Sequence, residues 1–216
     1  MKIKAFWHIC LLFAVVFGVA GIAFAQDGIN RVEFFGGYSH NRVDTGLTSE
    51  DFEGDEEFGR RIGTNGVNLS LTGNLTKYFG LKVDFAHHRK TDAFDFEGVN
   101  VDTKYSNNTF MGGIQIKNNK KDGPRAKPFF HALAGVARQK LSFSAPTEDF
   151  EASLTQSNFT FAVGGGLDVR VSKRVDIRVF QIDYNPTYIK DQDFDDFTLE
   201  GMAQHNFRFG FGIVIH

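Results

Sequence analysis

The 216-residue chain has one cysteine, one tryptophan and four prolines. A single thiol excludes a disulfide framework and any paired-cysteine zinc site. The formal charge of −2 lacks the basic excess that nucleic-acid binding requires, so no nucleic-acid partner is expected. Nowhere after residue 25 do 18 apolar residues run together, which excludes a transmembrane helix there. Helical periodicity is missing as well. What the chain does have is 23 glycines and 25 phenylalanines, a β-rich composition consistent with one domain.

The first 25 residues differ from the rest. Lys2 and Lys4 precede an apolar stretch that runs to Ala25 and ends in Ala23-Phe24-Ala25. This is the layout of a secretory signal peptide over residues 1–25, with cleavage expected after Ala25 and a single β-barrel domain over residues 26–216. Cleavage removes Cys10 and Trp7 together, so any interfacial aromatic belt must be built from Phe and Tyr.

Period-2 alternation recurs along residues 26–216. Phe207, Phe209, Phe211, Ile213 and Ile215 share one face of the last segment, and Asn206, Arg208, Gly210 and Gly212 share the other. Val67, Leu69 and Leu71 oppose Asn68, Ser70 and Thr72 in the same way. Eight strands are predicted, over 30–42, 64–75, 80–90, 104–117, 128–142, 157–170, 174–185 and 204–216. Long connections (43–63, 91–103, 143–156 and 186–203) alternate with short ones (76–79, 118–127 and 171–173). Long outer loops and short periplasmic turns mark a membrane barrel, which must close because lipid cannot satisfy a free strand edge. The expectation is therefore all-β: an eight-stranded antiparallel up-and-down transmembrane β-barrel in the cell outer membrane. In the seventh strand Asp176 and Arg178 differ in parity from Gln181 and Asp183, and a β-bulge near Phe180 would bring all four to one face.

Several segments resemble the eight-stranded outer-membrane β-barrel family typified by the membrane domain of outer membrane protein A. They are Val32–Ser39, Pro128-Phe129-Phe130 leading to Gly135, Arg178–Tyr184 and Asn206-Phe207-Arg208-Phe209. The resemblance implies a barrel without cofactor. The peptidoglycan-binding domain of the archetype has no counterpart here, so a cell-wall tether is not implied. The chain also ends in Ile213-Val214-Ile215-His216, where family members usually end in Phe.

An eight-stranded barrel leaves an interior just wide enough for side chains. Glu33, Lys82, Asp84, Arg138, Asp168, Asp176, Arg178 and Arg208 are the expected lumen charges. Buried charges must pair, so these residues are read as a salt-bridged plug, with a gated narrow conduit as the alternative. The parity of His131 leaves it facing lipid or lumen.

Charge is sorted along the chain. The four long connections hold nineteen of the 26 acids and only Arg60, Arg61 and Lys190 as bases. Bases gather instead at the short turns (Lys117, Lys120, Lys121, Arg125, Lys127, Arg170, Lys173 and Arg174). Others lie near outer strand ends (Arg42, Arg89, Lys90 and Lys140), where they are expected to form a rim for lipopolysaccharide phosphates. Asp191, Asp193 and Asp195 fit the first positions of a calcium loop. Asp196 replaces its glycine and Met202 its glutamate, so only loose divalent-cation binding is expected and no defined metal site. His40, His87, His88 and His205 fall near outer strand ends, yet no nucleophile motif accompanies them, and Ser39 alternates with His40. The reading is a monomeric, non-enzymatic outer-membrane barrel, structural or adhesive through its acidic loops. Its partners are outer-membrane lipid, lipopolysaccharide and an extracellular ligand or divalent cations. Ligand binding or narrow-channel transport is the alternative, followed by lipid A modification.

Overall fold

The computed structural model describes residues 28–44, 61–96, 99–145, 150–189, 192–193, 198–199 and 201–216. Residues 1–27 and most of the acids of the long connections lie outside these residues. Eight long strands are present: β1 (Val32–Asp44), β2 (Arg61–Asn74), β3 (Phe79–Phe96), β4 (Val99–Lys117), β5 (Ala126–Ala145), β6 (Phe150–Arg170), β7 (Val175–Tyr184) and β8 (Phe207–Ile215). Each pairs antiparallel with its sequence neighbours, and β1 pairs with β8, so the sheet closes.

The closure has a measurable stagger. One ladder row runs Val32–Gly73–Leu81–Ile114–Ala132–Val163–Tyr184–Phe207 and returns to β1 at Arg42. A full circuit therefore climbs from residue 32 to residue 42, a shear of about ten. With roughly 3.3 Å per residue and 4.8 Å between strands, that shear tilts the strands by about 40°. Lipid must meet apolar atoms, so the outward parity carries the hydrophobic residues. Phe34, Leu69, Phe85, Phe110, Phe130, Phe159 and Phe211 are exposed on it. Phe159, Phe161, Tyr184, Tyr188 and Phe207 form a cluster of aromatic rings on one side of the barrel, with ring centroids 5.5–6.3 Å apart.

The expected alternation holds, but two expected loops do not. The β3–β4 ladder continues to Phe96↔Val99 and the β5–β6 ladder to Ala145↔Phe150. Residues 91–103 and 143–156 are thus largely hairpin arms beyond the membrane band. Outside lipid an arm needs only backbone pairing, so it can carry the acids that made these residues read as loops. The connection 186–203 likewise contains a short ladder, Thr187–Tyr188 with Ala203–Gln204. The bulge expected near Phe180 is present. Leu167 pairs with Phe180 and Asp168 with Arg178, so Val179 is the extra residue, and Val179 and Phe180 both face outward.

The chain also closes the short-turn end. Ile29 bridges to Lys120 and is 1% exposed. Asn30 N–H donates to Asn119 O (2.8 Å), and Lys121 N–H donates to Gly28 O (2.9 Å).

Candidate functional site

Inward parity places five buried cations, Lys82, Lys117, Lys127, Arg178 and Arg208, among five buried carboxylates, Glu33, Asp84, Asp168, Asp176 and Asp183. They form two linked groups. In the group nearer the short turns, Lys117 Nζ bonds Glu33 Oε2 and lies 3.0 Å from Asp168 Oδ2. Arg178 grips Asp168 with two bonds, Nε to Oδ1 at 2.8 Å and Nη2 to Oδ2 at 3.1 Å. Lys127 lies 2.8 Å from Asp176, and His216 Nε2 lies 3.0 Å from the same carboxylate.

In the central group, Arg208 spans Asp84 (2.8 Å) and Asp183 (2.7 Å). Asp183 also receives Gln181 Nε2 at 2.7 Å and contacts His131 Nε2 at 2.8 Å. The other ring nitrogen of His131 lies 3.2 Å from Lys82 Nζ. Arg178 connects the groups by donating to Gln181 Oε1 at 2.7 Å. Its guanidinium is held between the rings of Phe35 (4.2 Å) and Phe129 (4.0 Å), a cation–π arrangement inside the barrel. Glycines make room for those rings. A Cβ on Gly37 or Gly212 would come within 3 Å of the Phe35 ring, and one on Gly166 within 3 Å of Phe129.

Glu33, Lys82, Asp84, Asp168, Asp176, Arg178 and Arg208 lie in this interior. Arg138 does not. It is exposed on the outward face of β5, because the buried residues of that strand are Lys127, Phe129, His131, Leu133, Ala137 and Gln139. Phe129 misled the parity reading, since an inward phenylalanine reverses the rule that lumen residues are small or polar. The same reversal settles His131 as a lumen residue and brings in Lys127. Lys117 shares the parity of Gln115 and Met111, so it too belongs to the lumen, although sequence position alone put both lysines with the turns.

Above this network the inward residues are mostly uncharged: Ser39, Asn41, Thr64, Asn107, Thr109, Asn158, Thr160, Asn185 and Asn206 are buried. Ser39, Gly66 and His88 lie in one ladder row, and His88 Nε2 reaches across the glycine to Ser39 Oγ at 2.8 Å. His40 and His87 face outward and bond Asn65 and Asn108 instead, each at 2.8 Å. The four outer histidines therefore do not converge. Among the described residues no group of three or more His, Cys, Asp or Glu side chains could hold a metal.

The outer rim also takes a different membership. Arg42, Arg89 and Lys140 are exposed on the outward face. Lys90 has the inward parity of Lys82, Asp84 and His88, and it pairs with Asp92 at 2.6 Å, so it leaves the rim. Arg138 joins it. The ladder climbs about one and a quarter residues per strand. Arg89 lies in the row of His40, two strands on, and Arg138 lies in the row of Tyr38, four strands on. Both come to within about one residue of the height of Arg42. Three arginines on alternate strands β1, β3 and β5 therefore stand at one level, above the apolar band.

The sequence matches the outer membrane protein β-barrel domain family over residues 10–213. Among solved structures, the attachment invasion locus protein Ail of Yersinia pestis, in complex with the heparin analogue sucrose octasulfate, is 18% identical. That match covers 88% of this chain and 100% of that one, with a TM-score of 0.50. Neisserial surface protein A is 11% identical over 88% of this chain and 99% of its own, with a TM-score of 0.48. OprG of Pseudomonas aeruginosa is 11% identical over 88% of this chain and 97% of its own, with a TM-score of 0.46. No curated protein matches. With a closed antiparallel ring, a lipid-facing apolar parity and a family match over nearly its whole length, this outer-membrane chain belongs to the outer membrane protein β-barrel domain family.

Proposed function

We propose that the protein is a sealed, non-catalytic barrel that holds its outer hairpins and acidic loops rigidly at the cell surface for interaction with a partner. The observation that carries this reading is the interior. Five cations and five carboxylates, none more than 3% exposed, occupy the lumen. Lys117, Lys127, Arg178 and Arg208 pair with the carboxylates, Lys82 contacts His131, and Ile29 is buried at the short-turn end. A conducting pathway needs continuous water, and this network leaves its charges no water to face. The loop acids favour a cationic partner or divalent cations, opposite in sign to the sulfated ligand seen with Ail. A catalytic reading gains little from the Ser39–His88 pair. Both side chains are at most 1% exposed, and His88 Nδ1 has no hydrogen-bond partner among the described residues. The direct test is a planar-bilayer recording of the refolded full-length protein. No stable conductance is expected; reproducible unitary steps would overturn the sealed reading.

The level of arginines carries a second reading, about the lipid partner. We infer that Arg42, Arg89 and Arg138 bind lipopolysaccharide phosphates: the three are exposed at one level, and each offers a planar fork suited to bidentate phosphate bonds.

A further inference from the structure

The three short turns form one continuous basic surface at the opposite end of the barrel. The turn of residues 75–78 is tied to the 118–125 turn by Lys117 N–H to Tyr78 O (3.0 Å), Asn119 N–H to Lys77 O (2.9 Å) and Asn119 Nδ2 to Thr76 O (3.2 Å). The 118–125 turn is tied to the 171–174 turn by Arg170. Its guanidinium donates to Gly123 O and Lys120 O, both at 3.1 Å, and its backbone N–H donates to Arg125 O at 2.8 Å. Arg170 is therefore a strut, while Lys117 and Lys127 are lumen residues. The bases left on the surface are Lys77, Lys121, Arg125, Lys173 and Arg174, all exposed. Asp122 is the one acid in these three turns. Among the described residues none of the five bases forms an ion pair.

Two apolar side chains stand among these charges. Tyr78 and Val171 are each 53% exposed, and Lys120 Nζ lies 5.7 Å from the Tyr78 ring centroid. An aqueous polymer would be met by charge alone. Exposed aromatic and aliphatic side chains beside lysine and arginine suit a boundary where hydrocarbon meets anionic headgroups. The surface is continuous with the outward apolar parity that ends in Val32, Ile116 and Ile215.

We propose that these linked turns form a binding surface for anionic phospholipid headgroups in the periplasmic leaflet, with Tyr78 and Val171 seated in the interface and the five bases on the phosphates. Its counterpart, the arginine level at the other end of the barrel, faces a different leaflet, so the two surfaces sort different lipids.

The test is electron paramagnetic resonance of spin-labelled lipids around the refolded full-length protein in phosphatidylcholine vesicles. Labelled phosphatidylglycerol is compared with labelled phosphatidylcholine, at low and high salt. Phosphatidylglycerol should be preferred by about threefold or more at low salt, and the preference should shrink at high salt. The variant Lys77→Gln/Lys121→Gln/Arg125→Gln/Lys173→Gln/Arg174→Gln should lose most of that preference while keeping its folded gel mobility. The variant Arg42→Gln/Arg89→Gln/Arg138→Gln should keep most of it. Absence of any preference overturns the proposal. So does a preference lost only in the arginine variant, or binding of intact protein to purified peptidoglycan that requires the five bases.

Discussion

Replacing Arg208 by Met distinguishes a dry lumen from a wet one. Arg208 is 1% exposed and lies 2.8 Å from Asp84 and 2.7 Å from Asp183. Methionine keeps much of the apolar stem, so the change removes a charge more than it opens a cavity. Asp183 retains His131 and Gln181, whereas among the described residues Asp84 retains only the side-chain bond from Asn68 at 3.0 Å. In a protein interior, stranding a buried carboxylate costs about 3–5 kcal/mol; for a solvated pair the cost falls to about 0–1 kcal/mol. The variant should therefore lose about 3–5 kcal/mol in equilibrium urea unfolding from lipid vesicles, followed by gel mobility and far-ultraviolet circular dichroism. Adding Asp84→Asn to Arg208→Met removes the stranded charge and should recover about 1–2 kcal/mol of the loss. A loss below about 1 kcal/mol with no recovery in the double variant would mean that water reaches this network, and the sealed reading would fail with it.

Two glycines of β2 should behave oppositely. A Cβ on Gly66 would stand 1.7 Å from the His87 carbonyl oxygen, whereas one on Gly73 would meet nothing within 4 Å. Gly66→Val should therefore block refolding or cost several kcal/mol, and Gly73→Val should change stability by less than about 1 kcal/mol in the same urea titration. For the rim, the triple charge reversal Arg42→Glu/Arg89→Glu/Arg138→Glu should release co-purifying lipopolysaccharide. The single substitution Lys90→Glu should not, because Lys90 is on the lumen parity; equal retention by wild type and triple variant would remove the rim.

The sequence by itself determined the strand count, the closure, and which parity meets lipid in strands other than β5. A bilayer permits only closed pairing, and an alternating pattern can be read residue by residue. It also located the bulge near Phe180, because four polar residues with mismatched parity must reach one lumen. It could not see that Phe35 and Phe129 turn inward, since an inward aromatic is allowed only when Gly37 on the same strand and Gly166 and Gly212 on neighbouring strands leave it space. That single fact decided the parity of β5. It moved Arg138 from lumen to rim and brought His131 and Lys127 into the interior. The partners of each lumen charge were decided by tertiary structure as well. Lys117 meets Glu33 and Asp168 from 84 and 51 residues away, and Arg208 meets Asp84 from 124 away. Such pairs depend on the stagger of the barrel, which brings residue 32 round to residue 42. A one-dimensional pattern contains the sign of each charge and the face it occupies, but the height at which it meets its partner is set only when the ring closes.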